Sequence, residues 1–228
     1  MRLIRYAGVG LLGVGACIAL DGGVRGQGSD VTVTVDRNTN ATSSPAFRFE
    51  HVPPPAKDDL ASHAVVKIVD GDTDPNGGAV NAVVDGLLPK EDDEPGANFF
   101  FDAGTSGGTF RMDLGSAVDI AAIHSYSWHP NTRGPQVYTL YASDGTDPKF
   151  NVSPRNLDPA AVGWTLLTHV DTRPKGDDPG GQYAVRIARA GGSLGKYRYL
   201  LFVCSVTETD DDWGNTFYSE IDVVGRTL

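Results

Sequence analysis

The stretch TFRMDLGSAVDIAAIHSYSW, residues 109 to 128, decides the fold. Phe110, Met112 and Leu114 alternate with Arg111 and Asp113, so an extended chain here carries apolar side chains on one face and charges on the other. A second run rich in β-branched and aromatic residues, 119 to 128, follows it directly.

Similar runs recur on both sides. VTVTV (31 to 35), FRFEHV (47 to 52), AVVKIV (64 to 69) and FFFDA (99 to 103) precede it; QVYTLYAS (136 to 143), GWTLLTHVD (163 to 171), YAVRIA (183 to 188), KYRYLLFVCSV (196 to 206) and TFYSEIDVV (216 to 224) follow. Each is bounded by Gly, Pro, Asp or Asn, as strands are. Trp164, Leu166 and Val170 oppose His169 and Asp171, and Phe217, Ile221 and Val223 oppose Glu220 and Asp222. Strands with one wet face belong to antiparallel sheets, and the unbroken apolar run from Tyr199 to Cys204 predicts a central strand. No apolar period of 3.6 separates the strands, which excludes alternating βαβ units. The expected architecture is all-β: a two-sheet antiparallel β-sandwich or jelly roll.

The N-terminus reads differently. Arg2 and Arg5 precede an uncharged stretch from Tyr6 to Leu20, the pattern of an export signal, so residues 1–26 are expected to be removed and the protein to be exported. The stretch is too short and Gly-rich for a transmembrane span. Cys17 offers a lipoprotein alternative, but it lies inside the apolar region rather than at its end, which favours cleavage near Val24-Arg25-Gly26. Gly8 to Gly13 fits G-x-G-x-x-G without a preceding strand and therefore without that motif's mechanism. Residues 27–45 read as a partly disordered leader or an edge strand, and 46–228 as a single sandwich domain. With Cys17 removed, Cys204 has no partner for a disulfide and reads as a small buried hydrophobe.

The formal net charge of -10 repels nucleic acid and anionic membranes. It suits neutral ligands, calcium or basic partners.

Long polar connections carry the candidate chemistry. In the loop HPNTRGP (129 to 135), Trp128 offers an indole face to a sugar ring, while His129, Asn131 and Arg133 offer hydrogen bonds to hydroxyls. Trp213-Gly214-Asn215 repeats this mixture; the bland reading of Trp128 is a core cap above a Pro-Asn turn. Asp70-Gly71-Asp72-Thr73-Asp74 spaces carboxylates as calcium loops do, but Pro75 and Asn81 stand where an EF-hand needs Gly and Glu. That leaves a generic calcium site on Asp70 and Asp72 or a solvated turn. Gly104-Thr105-Ser106-Gly107-Gly108 matches G-x-S-x-G, yet joins two strands, whereas a nucleophile elbow needs a helix after the Ser. The five histidines make no zinc spacing.

The order FRMDLGSAVDIAAIHSYSW, RGPQVYTLYASDG, GWTLLTHVDTR, GKYRYLLFVCSV, TFYSEIDVVG resembles the discoidin family (coagulation factor 5/8 type C) of galactose-binding-like β-sandwiches. The resemblance runs from Asp85 to Gly225. It implies a non-catalytic, bacterial, secreted or envelope-associated module for carbohydrate or another cell-surface ligand, with a structural calcium. Asp85 and Glu220 correspond to calcium-ligand positions of that family, although LLPKEDDEPGANFFF replaces the usual residues after the early Asp-Gly. The loop residues Trp128, His129, Asn131, Arg133 and Trp213 are the expected ligand set. A structural or protein-interaction domain of the envelope is the alternative, and a hydrolase built on the acidic loops the third reading.

Overall fold

The computed structural model describes residues 30–176 and 178–226; the stretch 1–26 expected to be an export signal, with Cys17 and the G-x-G-x-x-G match, lies outside them. The described residues form eight strands: β1 (Val31–Thr39), β2 (Val65–Asp70), β3 (Gly107–His129), β4 (Val137–Ser143), β5 (Thr165–Asp171), β6 (Gly181–Arg189), β7 (Gly195–Ser205) and β8 (Tyr218–Gly225). All pairings are antiparallel. Among the described residues, helix is confined to short 3-10 turns at Val80–Val84, Pro95–Ala97 and Pro159–Val162, and no described helix is long and apolar enough to cross a membrane.

The two runs within residues 109–128 join into one 23-residue strand that serves both layers. Its first half pairs with β2 and β7, extending through β4 to β5. Its second half pairs with β6 and β8, and β6 with β1. The bend comes where the β3–β7 register breaks between Asp113 and Val118. Gly115 supplies it with a φ of +81°, which a residue bearing a Cβ adopts only with strain, and its N–H donates to Asp113 Oδ1 at 2.9 Å.

The layers close on an aromatic core. Phe110 stacks on Phe202 with ring centroids 4.9 Å apart, Phe99 meets Phe110 edge-on at 5.7 Å, and Tyr138 meets Tyr218 at 6.3 Å. Each such side chain contributes roughly 1.5–3 kcal/mol by leaving water. One polar chain runs through this core: Tyr138 Oη lies 2.8 Å from Ser125 Oγ, which donates to Gln136 Oε1 at 2.6 Å. Cys204 is a free, buried thiol whose pKa burial pushes up to about 12.

Three expectations need correction. Residues 47–52 are not a strand, and 99–103 make only isolated bridges, Phe99 to Tyr218 and Phe101 to Thr73. Leu166, expected inward, is 44% exposed, because a register shift against Leu140 and Tyr141 puts Leu167 inward instead. The polar face of β8 is not wet: Glu220 and Asp222 are buried, since the chain from 49 to 61 crosses that face. Carboxylates and one tyrosine fasten this strap. Asp36 accepts from His51 and Val52 N–H, Asp222 from Ala56 N–H, Asp59 from Val223 N–H, and Tyr126 Oη donates to Pro53 O.

Candidate functional site

The strand ends place the loops. His129 closes β3, Val137 opens β4, Ser205 closes β7 and Tyr218 opens β8, and the antiparallel registers His129–Gly181, Tyr138–Cys204 and Gly107–Ser205 bring these ends to one pole of the sandwich. A cleft of about 660 Å³ opens there.

Arg133 lies at its heart, only 6% exposed. Its guanidinium carbon sits 4.2 Å from the ring centroid of Phe217, 4.4 Å from Phe100 and 5.3 Å from Trp213. Its Nε donates to Asn215 O at 3.1 Å, and Nη2 has no partner. Removal from water lowers the pKa of Arg133, and the negative charges of Asp74, Asp93 and Asp211 oppose that effect. Planar guanidinium on ring faces is the arrangement in which Arg tolerates such enclosure, through cation–π attraction.

His129 lies beside it, its ring 4.6 Å from that of Phe217. The N–H of Asn131 donates to His129 Nδ1 at 3.0 Å, so in the neutral ring the proton sits on Nε2. Nε2 points toward Asp93 Oδ1 at 3.8 Å, too far for a hydrogen bond. A donor and an acceptor therefore face each other across a gap. Burial pushes the imidazole pKa down to about 4; the attraction of Asp93 opposes this and the charge of Arg133 adds to it.

Trp213 forms an exposed wall of the cleft, 52% accessible. Its loop is rigidly folded: Thr207 N donates to Gly214 O at 2.8 Å, Trp213 N to Asp211 Oδ1 at 2.7 Å, and Asn215 Nδ2 to Asp102 O at 2.8 Å. Gly214 has to be glycine, because a Cβ there would lie 2.5 Å from Glu208 O.

His129, Asn131, Arg133 and Trp213 thus line one cleft. Trp128 does not, and this corrects the expectation. It is buried, and being next to His129 in a strand it points through the opposite face, toward Phe49, Leu88 and Pro89. Asp93, Asp211 and Phe100 also line the cleft without having been singled out from sequence, as do Asp74, which the sequence marks only as part of a carboxylate loop, and Phe217, which it marks only as core. Ser106 sits in the turn leading straight into β3, so no helix follows it.

The four expected calcium residues do not form one site. Asp70 Oδ1 accepts from Arg155 Nε at 2.8 Å and Asp72 is exposed. Among the described residues no three His, Cys, Asp or Glu side chains gather as a metal would need. Glu220 is another matter. It is 0% exposed, Oε2 accepts from Gly86 N at 2.8 Å, and Oε1 has no partner. Burial raises its pKa to about 9; the Gly86 hydrogen bond opposes this, and the negative charges of Asp222 and Asp85 add to it. A buried carboxylate with a spare oxygen beside Asp85 fits a hard cation, whose remaining ligands are commonly backbone carbonyls and water.

No family model and no curated protein matches this sequence. Solved structures resemble it at low identity. CBM32-1 from a family 31 glycoside hydrolase of Clostridium perfringens is 12% identical, with a TM-score of 0.44 over 74% of this chain and 98% of that one. The lectin domain of lectinolysin, complexed with Lewis b antigen, is 10% identical, with a TM-score of 0.47 over 75% and 98%. A Ruminococcus gnavus GH29 fucosidase in complex with fucose is 19% identical, with a TM-score of 0.47 over 76% of this chain, which spans only 28% of the fucosidase. The carbohydrate-binding module and the lectin domain are discoidin-like, galactose-binding-like β-sandwiches.

The state of His129 is testable by stability. Its folded pKa of about 4 lies below the ordinary value of 6.5, so between those values the unfolded chain takes up a proton that the folded one refuses. The stability this gives is complete above about pH 6.5 and is lost as pH falls toward 4, on the order of 2 kcal/mol. In denaturant titrations from pH 4.5 to 7.5, the wild type should therefore weaken relative to His129→Gln as pH falls. Parallel pH profiles would show that His129 protonates freely in the fold.

Proposed function

We propose that the protein is a non-catalytic binding module that holds a glycan in the cleft of Trp213, His129 and Arg133. The observation that carries this reading is the pairing of an exposed indole face with a donor and an acceptor separated by an unfilled gap, His129 Nε2 and Asp93 Oδ1 at 3.8 Å. A sugar ring has an apolar face that stacks on an indole. Its hydroxyls both accept and donate, so one hydroxyl takes the imidazole proton bond and gives its own to the carboxylate. The Arg133 side chain lines the floor of the cleft, and Asn131 supplies an amide at the rim. Neutral His129 suits this role at pH 7, because an imidazolium would bind Asp93 itself. A structural domain without a small ligand would have no reason to keep such an aromatic-lined cleft.

Export through residues 1–26 belongs to the same proposal, as does one structural calcium held by Asp85 and Glu220. The cation would neutralise the Glu220 carboxylate and tie the Asp85-Gly86 turn to β8, away from the cleft. It has no chemical step to perform.

Stacking and a few oriented hydrogen bonds give millimolar to micromolar affinity, about -4 to -8 kcal/mol. Trp213→Ala should weaken binding of any glycan selected on an array by at least about tenfold in calorimetry, since base- or sugar-sized stacking is worth more than 1 kcal/mol, while Trp128→Phe should leave it unchanged. Undiminished affinity in Trp213→Ala would remove the cleft from the reading. For calcium, a ligand of the folded state at a hundred times its Kd adds about 2.7 kcal/mol, a rise in Tm of roughly 5–10 °C for a domain of this size. Glu220→Gln should abolish the rise; equal Tm values in millimolar calcium and in chelator would dismiss the site.

A further inference from the structure

The balance of charge around the cleft carries a statement about which glycans it takes, and this statement rests on the glycan reading above. The lining includes the carboxylates Asp74, Asp93, Asp178 and Asp211 against the single guanidinium of Arg133. Arg133 is enclosed among Phe100, Phe217 and Trp213 and its unpartnered Nη2 is itself buried, so little of its charge is offered to a ligand. Among the described residues, none of the four carboxylates forms an ion pair with a Lys or Arg side chain. Arg37 approaches Asp178, but it bonds the main-chain oxygens of Asp178 and Gly180. The rim is acidic in depth as well: Asp93 comes from the run Glu91-Asp92-Asp93-Glu94 and Asp211 from Asp210-Asp211-Asp212.

Asp93 and Asp211 are the carboxylates best placed to act. Asp93 is 62% exposed at its side chain and faces His129 across the gap described above. Asp211 accepts the Trp213 N–H at Oδ1, which fixes it beside the indole wall. A sugar stacked on Trp213 therefore has carboxylates within the same cleft and no free ammonium or guanidinium partnering them.

We propose that the cleft selects glycans bearing a free amine, that is, amino sugars whose nitrogen is not acylated, and excludes uronic and sialic acids. A hydroxyl's hydrogen bond to a carboxylate carries charge on the acceptor alone; an ammonium substituent puts charge on both sides and makes it an ion pair, and the indole face attracts the same cation. Acidic rims also concentrate cationic ligands from solution, an effect that salt removes. A carboxylated sugar meets the opposite on every count: repulsion from the rim and a guanidinium already enclosed.

The test is calorimetry on the intact protein with β-1,4-linked glucosamine disaccharide and its di-N-acetyl form, at 50 and 500 mM NaCl. Exposed charge pairs are each worth a few-fold in affinity, so the amine form should bind about five to ten times tighter at low salt. The preference should shrink toward one at high salt and in Asp93→Asn/Asp211→Asn. Both substitutions keep an oxygen acceptor, so the Trp213 loop retains its N–H bond, and an unchanged Tm verifies the fold. Glu50→Gln, which removes an exposed carboxylate outside the cleft, should keep the full preference. Equal affinity for the two disaccharides would overturn the selectivity and leave the glycan reading standing, as would binding of neutral array glycans with no binding of the amine form. A preference that survives in the Asn double variant, or vanishes equally in Glu50→Gln, would also overturn it, assigning the effect to net charge or another surface. Failure of every glycan to bind would instead defeat the glycan reading itself.

Discussion

The molecule depends on one strand being shared by two sheets. β3 hydrogen-bonds to β2 and β7 before its bend and, past a last short pairing of Val118, Asp119 and Ile120 with β7, to β6 and β8 after it. Because the bend at Gly115 turns the chain from one layer into the other, the core-facing side chains of both halves, Phe110 and Met112 on one side and Ile123 and Ser125 on the other, close on a common interior. The same geometry determines where β3 stops. His129 emerges at the pole where β7 ends and β4 and β8 begin, so three otherwise unrelated loops converge without needing contacts of their own to find each other.

What those loops build is costly in isolation and stable together. Enclosing a guanidinium removes it from water, and the three aromatic faces, the Asn215 carbonyl and the surrounding carboxylates offset that loss. The consequence is a preorganised cleft. Trp213 is held by Asp211 and Gly214, the imidazole tautomer is fixed by Asn131 N–H, and binding a ligand needs little ordering of the protein.

Local patterns made the sandwich legible from sequence, because period-two alternation and turn residues act over a few positions. Alternation also held the information that Trp128 and His129 cannot serve the same cleft, since neighbours in a strand face opposite ways. What sequence could not disclose is long-range. Glu220 and Asp222 look like the wet side of β8, and nothing near them announces that residues 49–61 lie across it. The bulge that turns Leu166 outward depends on β4. Asp93, Phe100 and Phe217 come from distant segments, and only the acidic runs at 91–94 and 210–212 hinted at the character of the rim.

The central claim, that the cleft between Trp213, His129 and Asp93 is the place of recognition, is most directly tested by a crystal structure of the protein with a bound oligosaccharide. The account predicts a sugar ring flat against the Trp213 indole, with one of its polar substituents seated between His129 Nε2 and Asp93 Oδ1. A sugar bound elsewhere, for instance over the strap beside Trp128, with this gap left as it is, would contradict it.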